Sequence, residues 1–468
     1  MMAKLNVPRK KEPVYTHGGA LTTRASDKEN LRRAVMACLL WEDQFYESGV
    51  SIAERIQQLV PKVKPELVVE MAIEARERMN LRHVPLLLVR EMARNNSHKA
   101  YVKDCLARII QRPDELTEFL AIYWKDGKQP LAASIKKGLA KAFGKFNEYQ
   151  LAKYNRSGDI KLRDVLFLCH PNPKDHEQDD LWKRLIENKL KTPDTWEVNL
   201  SAGKDKKLTF ERLMQEGKLG AMALLRNLRN MAMAKVKPIL IEEALAKADY
   251  RRVLPFRFLS AAKAVPEYEH LLEAPFIKCV QGKEKLPGKT ILIIDVSGSM
   301  YGSLISKHSE MNRAYVACAL AVLVREQCEQ SAIYATAGND GTRVHATARV
   351  PSRKGFALID AIYNMCSPLG GGGIFLKQVM DFVFEKEQEA DRIIVITDEQ
   401  DCDANGREGA PARSRAFGKH NYIINVASYD RGIAYSKWTH ITGWSDAALD
   451  YILEIEKVNK EDKNAIQN

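Results

Sequence analysis

The sequence predicts two architectures in one chain: a run of α-helical repeats, then an α/β domain with a doubly wound, mainly parallel sheet. Three observations carry this. Apolar residues recur at spacings of three and four from Lys28 to about Ala264. The period changes after QGKEKLPGK, residues 281–289, and beyond it short β-rich runs alternate with helical ones. With 468 residues, 45% hydrophobic and 28% charged, the chain is long enough for two or three domains and a sizeable core.

Residues 1–26 are basic, then contain Thr, Gly and Ser without periodicity, and are expected to form an extended arm. Residues 27–286 hold the helices. NLRRAVMACLLWEDQFYESG, ELVVEMAIEARERMN, VPLLLVREMARN, YVKDCLARIIQ and DELTEFLAIYWKDG are amphipathic and end at Gly, Asn or Pro. Brief connections between such helices predict antiparallel pairs stacked as an α-solenoid. HPNPKDHEQDD, residues 170–180, and NLSAGKDKKLT, residues 199–209, read as polar loops. In residues 287–468 the strand candidates are TILIID, SAIYATAG, RVHATAR, DRIIVITD and HNYIINVAS, with helices MNRAYVACALAVLVREQ and FALIDAIYNMC between them.

The net charge of +12 is unevenly spread. From residue 288 onward 20 Lys and Arg face 23 Asp and Glu, a charge of −3, which leaves +15 on residues 1–287. A basic front half suits a polyanion such as RNA, whose phosphates reward clustered cations by releasing counterions; a solvated Lys-rich helix surface is the alternative. No apolar run approaches a membrane span, and the N-terminus has charge without an apolar stretch behind it, so a cytoplasmic location is expected. The eight cysteines are scattered singly with no CxxC pair, as reduced thiols would be. P-loop, GxSxG, nuclease carboxylate cluster and paired acid and base are all missing from the sequence, which argues against an enzyme.

The run ILIIDVSGSM places Asp295 at a strand end with Ser297 and Ser299 just after it, and Asp398 follows the strand RIIVIT. In a parallel sheet both carboxylates fall at the carboxyl edge, where ligands bind. A hard divalent cation such as Mg²⁺ takes oxygen ligands and is held by one or two carboxylates; Asp295, Ser297, Ser299 and Asp398 supply such a set. DVSGSM is similar to the DxSxS signature of von Willebrand factor A domains, and VITDEQ resembles their later Asp-bearing strand end. The resemblance implies that both serines bind the ion directly and the aspartates directly or through water. It also implies a threonine from a Gly-rich loop and a partner's carboxylate at the open position. PLGGGGIFLKQ, residues 368–378, has only glycines where that threonine belongs, at Gly372 or Gly373, which leaves two readings: a water replaces the hydroxyl and the ion binds, or the turn is a vestigial, metal-free site.

An A domain behind a basic helical solenoid resembles the TROVE family, the Ro autoantigen and its bacterial relatives. LAKYNRSGDIKLRDVLFLCHPNP, MALLRNLRNMA, RVLPFRFLSAAKAV and ALDYILEIEK carry the likeness in the family's order. It implies a monomer in which HEAT-like repeats close into a ring around a central hole, with the A domain attached. The implied function is non-catalytic: Y-like small noncoding RNA on a basic outer surface and single-stranded 3′ ends of misfolded RNA in the hole. Such binding serves RNA quality control or decay, with an exoribonuclease or helicase as a further partner. A protein-binding A-domain adaptor is the rival reading.

The candidate RNA-binding residues follow. Lys136, Lys137, Lys141 and Lys145 lie in SIKKGLAKAFGKF, the last three at spacings of four on one helix face. Lys137 and His170 match family positions tied to RNA, and Arg32 and Arg33 fall near a family arginine that contacts it. Arg226 and Arg229, three apart, are candidates for phosphate contact. Trp41, Tyr46, Tyr149 and Tyr154 are candidates for base stacking, with core packing the competing role of the tryptophan.

Overall fold

The computed structural model describes residues 14–22, 25–36, 48–155, 158–278, 280, 284–302, 304–305, 311–402, 416–429, 432 and 438–467. Trp41, Tyr46, Cys38 and Cys279 lie outside them. The first helices are α1 (Asp27–Met36), α2 (Gly49–Leu59), α3 (Pro65–Glu77), α4 (His83–Arg94), α5 (Lys99–Ile109) and α6 (Asp114–Tyr123). There follow α7 (Ala133–Phe143), α8 (Glu148–Tyr154), α9 (Leu162–Cys169) and α10 (His176–Ile186). Each buries an apolar stripe on the next: α3 packs on α4 and α5, α5 on α7, and α7 on α9. Their shared core runs from Leu31 to Leu185.

A second helical set, α11 (Trp196–Ser201), α12 (Lys206–Gln215), α13 (Ala221–Met233), α14 (Pro238–Lys247), α15 (Phe256–Ala264) and α16 (Glu269–Ile277), is built differently. Its core, from Phe210 to Val280, is continuous with one face of the sheet, so these helices and the α/β domain fold around the same apolar interior.

Three sequence expectations change here. Residues 14–22 are a hairpin, β1 (Val14–Tyr15) antiparallel to β2 (Leu21–Thr22), rather than an extended arm. Both polar loops contain helix starts. Asp175 accepts from the Gln178 amide at 2.8 Å, and Asp205 from that of Leu208 at 2.8 Å, so polar residues there serve as caps of α10 and α12. Thr195 caps α11, which takes in residues 199–201.

The α/β domain contains β3 (Leu286–Asp295), α17 (Gly298–Tyr301), α18 (Arg313–Gln327), β4 (Cys328–Asn339), β5 (Val344–Arg349), α19 (Gly355–Tyr363) and α20 (Leu376–Glu387). It ends with β6 (Ala390–Thr397), β7 (Gly418–Asn425), β8 (Thr439–Thr442) and α21 (Ala447–Gln467). The sheet order is β5-β4-β3-β6-β7-β8, parallel except for β5 on β4. Side chains alternate between its faces. Leu292 and Ile294 join the core under α18, whereas Ile291 and Ile293 pack with Val379 and Val383 of α20. Continuous apolar strands covered on both sides are what a doubly wound sheet requires.

The contacts close a circuit. α15 packs on α18 and α16 on α19, while α1 returns to β8 at the other end of the sheet. There the Arg55 guanidinium donates to the Ser428 carbonyl, and Ser445 Oγ donates to the Arg78 carbonyl at 3.2 Å. Among the described residues no helix is long and apolar enough to cross a membrane.

Candidate functional site

The chain reverses direction across the sheet between β3 and β6, since β3 leads to β4 on one side and β6 to β7 on the other. At such a switch point the two strand ends part and leave a crevice. Asp295 ends β3 and Asp398 immediately follows β6. Both are sealed from solvent, as is Ser297, and Ser299 is nearly so. The four predicted residues therefore come together.

Their bonding is incomplete in an informative way. Asp295 is held: the Ser297 amide donates to Oδ1 at 2.9 Å and Thr397 Oγ1 to Oδ2 at 2.6 Å. Ser297 Oγ and Ser299 Oγ lie 3.3 Å apart. Asp398 Oδ1 accepts from the Gln400 amide at 3.1 Å, but Oδ2 is buried with no hydrogen-bond partner. A buried carboxylate oxygen without a donor is costly. Burial, and then the neighbouring Asp295, push Asp398 up to about 7, against pulls from Ser299, the Gln400 amide and Arg313. Burial likewise raises Asp295, with Ser297 and Thr397 pulling the other way. Two desolvated carboxylates, two hydroxyls and an orphaned oxygen fit a divalent cation, which would reverse both shifts.

The Gly-rich loop is locked onto this turn, because the Gly298 amide donates to the Gly372 carbonyl at 3.1 Å. The loop has no space for the threonine that the sequence lacks. A Cβ at Gly372 would lie 2.8 Å from the Gly338 carbonyl oxygen, and one at Gly373 would overlap the Cys402 sulfur. Cys402, four residues after Asp398, was not foreseen as a neighbour of this loop. Burial, followed by Asp401, Asp340, Asp295 and Asp398, pushes its thiol up to about 12.

The hairpin β1–β2 docks on the rim of the same site. Thr16 Oγ1 donates to the Asp401 carbonyl at 2.6 Å, and the His17 amide to Gln400 Oε1 at 2.8 Å.

The cationic candidates divide. Arg33 is a correction: it is 2% exposed and pairs with Glu399, so it fastens α1 to the sheet edge and offers nothing to an RNA. Burial pushes Glu399 up, yet Arg33 and His440 outweigh it and leave the carboxyl below its usual range. Arg32 is half-buried in a bidentate pair with Glu74, at 2.5 and 2.6 Å. Lys141 pairs with Asp104 at 2.8 Å, and Lys145 donates to the Ala107 and Ile110 carbonyls at the end of α5. Half of the lysine stripe thus has partners on α5.

Lys136 and Lys137 differ. Both are exposed, and neither ammonium group has a hydrogen-bond or ion-pair partner among the described residues. Burial pushes the Cys169 thiol up to about 12 while the Lys136 ammonium pulls it down, which puts Lys136 beside the C-terminal end of α9. His170 caps that end, exposed and in the left-handed conformation (φ 46°, ψ 58°). Lys136, Lys137 and His170 are thus all exposed, two on α7 and one at the end of α9. Arg226 and Arg229 are exposed on α13, and Arg226 lies near enough to Arg257 to help lower it, after burial. Tyr149 is exposed, and Tyr154 lies under Arg112, whose guanidinium carbon is 4.6 Å from the ring centre.

The profile of the TROVE domain matches residues 20–188 and 183–345, well over half of the chain. The chain belongs to the TROVE-domain family. This is a family of RNA-binding proteins. The telomerase protein component 1 of Rattus norvegicus is 24% identical over 314 residues, covering 48% of this chain, and that of Mus musculus 23% over 305, covering 45%. The chain aligns with only 12% of each of those proteins. The crystal structure of the Deinococcus radiodurans Ro (Rsr) protein superimposes with a TM-score of 0.57 at 17% identity, covering 90% of this chain and 97% of that one. The TROVE-family fold, a helical ring joined to an A-like α/β domain, is therefore the fold of this chain.

Proposed function

We propose that this TROVE-family chain is a non-catalytic RNA scaffold. It binds a Y-like small noncoding RNA on its basic helical surface and the single-stranded 3′ end of misfolded RNA inside the ring, for quality control or decay. The observation that carries the reading is the exposed set of Lys136 and Lys137 on α7 and His170 at the end of α9. The two ammonium groups have no protein partner among the described residues and the imidazole is exposed, all on the part of the chain that bears +15. Exposed cations left unpaired by the fold are available to phosphate oxygens, and displacing counterions from the RNA drives the association. The intact protein should bind an RNA hairpin with a 3′ tail more tightly than a blunt duplex, because only an unpaired strand enters a narrow ring. Equal affinities in a competition titration sink the threading part.

The sheet edge supports a second, compatible role as a divalent-cation site. Asp295, Asp398, Ser297 and Ser299 would hold the ion, which supplies an electrophilic point for a partner's carboxylate. The orphaned Asp398 Oδ2 favours it. In this reading the A-like domain, at −3, binds a protein while the helices bind RNA, and the two affinities are independent.

A further inference from the structure

We propose that one end of the layer formed by α12, α13 and α14 is a docking surface for an acidic, amphipathic protein segment. The inference is independent of the RNA and cation readings above.

Residues 216–220 join α12 to α13, and residues 234–237 join α13 to α14. Connections this short reverse the chain, so the first turns of α12 and α14 lie at the same end as the last turn of α13. A hydrogen bond fixes the arrangement: the Lys237 amide, just before α14, donates to Glu211 Oε1 of α12 at 3.2 Å. Among the described residues the three most exposed large apolar side chains all fall at this end, Met233 at 75%, Leu208 at 67% and Ile239 at 56%. Leu208 precedes Glu211, and Ile239 follows Lys237, by no more than about one helical turn. The core does not need these three side chains. Phe210, Met231 and Ile241, each the next but one along the chain, are fully buried and fill it.

The charge around them is unbalanced. Lys206, Lys207, Lys235 and Lys237 flank the three aliphatic residues, and none of their ammonium groups has a hydrogen-bond or ion-pair partner among the described residues. Over residues 204–211 and 233–239 five lysines face two acids, Asp205 and Glu211, a net of +3. Both carboxylates already accept backbone amides, those of Leu208 and Lys237.

The occupant must answer both features. A nucleic-acid backbone answers the lysines, but aliphatic side chains offer its bases no flat ring on which to stack. A bilayer takes up the apolar face of a whole amphipathic helix. Here α12 and α14 bury that face in the core and present single side chains at their ends. An amphipathic protein segment covers the aliphatic residues with its apolar side while its Asp and Glu meet the lysines.

The probe is a fluorescently labelled synthetic helix with Leu on one face and Glu on the other, titrated into the intact chain and followed by anisotropy. It should bind at least about tenfold more tightly than a scrambled peptide of the same composition, and more weakly as salt rises. Leu208→Ser, Met233→Ser and Ile239→Ser combined should weaken it by about tenfold or more, and so should Lys206→Glu with Lys207→Glu. The second variant puts acids in the first turn of α12, where the helix dipole favours them, so it decides the matter if the first does not fold. Circular dichroism and melting check both. Affinity for a tailed RNA hairpin should stay at the parent's value in the serine variant. Equal binding of the two peptides, or unchanged peptide affinity in both variants, overturns the proposal. Loss of hairpin affinity in the folded serine variant with peptide affinity kept makes this end an RNA surface and overturns it too. So does sedimentation of the parent, but not of that variant, with phosphatidylserine vesicles when the peptide does not compete, which makes it a membrane surface.

Discussion

The carboxyl edge of the sheet and the exposed surface of α7 and the end of α9 hold charge in opposite ways. At the edge Asp295, Asp398, Glu399 and Asp401 are all buried, and Arg33 is brought from the far end of the chain to answer one of them. On the helices Lys136, Lys137 and His170 stand in solvent. A buried charge must find a partner in the fold or in a ligand, so its loss is felt in stability. A solvated charge costs the fold almost nothing, so its loss is felt only by whatever it binds.

The strongest test of this contrast is Arg33→Ala. It leaves Glu399 buried with only His440 beside it and should destabilise the protein by about 3–5 kcal/mol in urea unfolding, without a matching change in RNA affinity. A variant as stable as the parent but defective in RNA binding would erase the distinction between the two regions.

Next comes the pH dependence of the metal-free protein. Asp398 is raised in the folded state to about 7 from an ordinary 3.8, so between these values the native state binds more protons than the unfolded one. Stability should therefore be greatest below about pH 4 on this account and decline as pH rises towards 7, by a few kcal/mol at most. Asp398→Asn should flatten that decline, as read from urea midpoints in chelator across the range. A profile identical to the parent's would remove Asp398 as its source.

On α7, replacing Lys136 and Lys137 together by Ala should leave the melting temperature alone. It should lower the salt slope of RNA binding by about 1.4–1.8, two contacts at roughly 0.7–0.9 each. An unchanged slope makes them a solvated face. The smallest effect belongs to Lys141→Ala, whose exposed pair with Asp104 should cost little stability and leave the slope close to the parent's. A drop as large as that of the double variant would mean that the pair opens for RNA.

The sequence made one side of this comparison far more legible than the other. Strand-to-turn motifs are local, so DVSGSM and VITD pointed to Asp295, Ser297, Ser299 and Asp398, which the fold brings together at the sheet edge, and the alternating periods gave the sheet and most helices. Arg33 looked like an RNA contact because nothing near it in the chain betrays Glu399, which only the closed circuit brings to it. The closeness of Cys402 to Gly373 was hidden for the same reason: they lie twenty-nine positions apart, and only packing brings the sulfur into the volume that a side chain there would take. Lys141 and Lys145 shared a helical face with Lys137 as spacing required, but spacing could not tell that α5 would meet two of the three. The loops at residues 170–180 and 199–209 failed because cap residues and loop residues are the same amino acids.

The docking of the β1–β2 hairpin also sets an order of events at the ribosome. Thr16 bonds a carbonyl 385 residues further along, so the first described segment to be synthesised must wait for one of the last. At 5–20 residues per second that interval is roughly 20–80 s. During it α3 to α10 have everything they need for their own core, whereas the second helical set lacks the sheet against which it packs. The nascent chain is then an open arc, and the segment around β8 and Ser445, which meets α1 and the Arg78 carbonyl, converts it into a closed one.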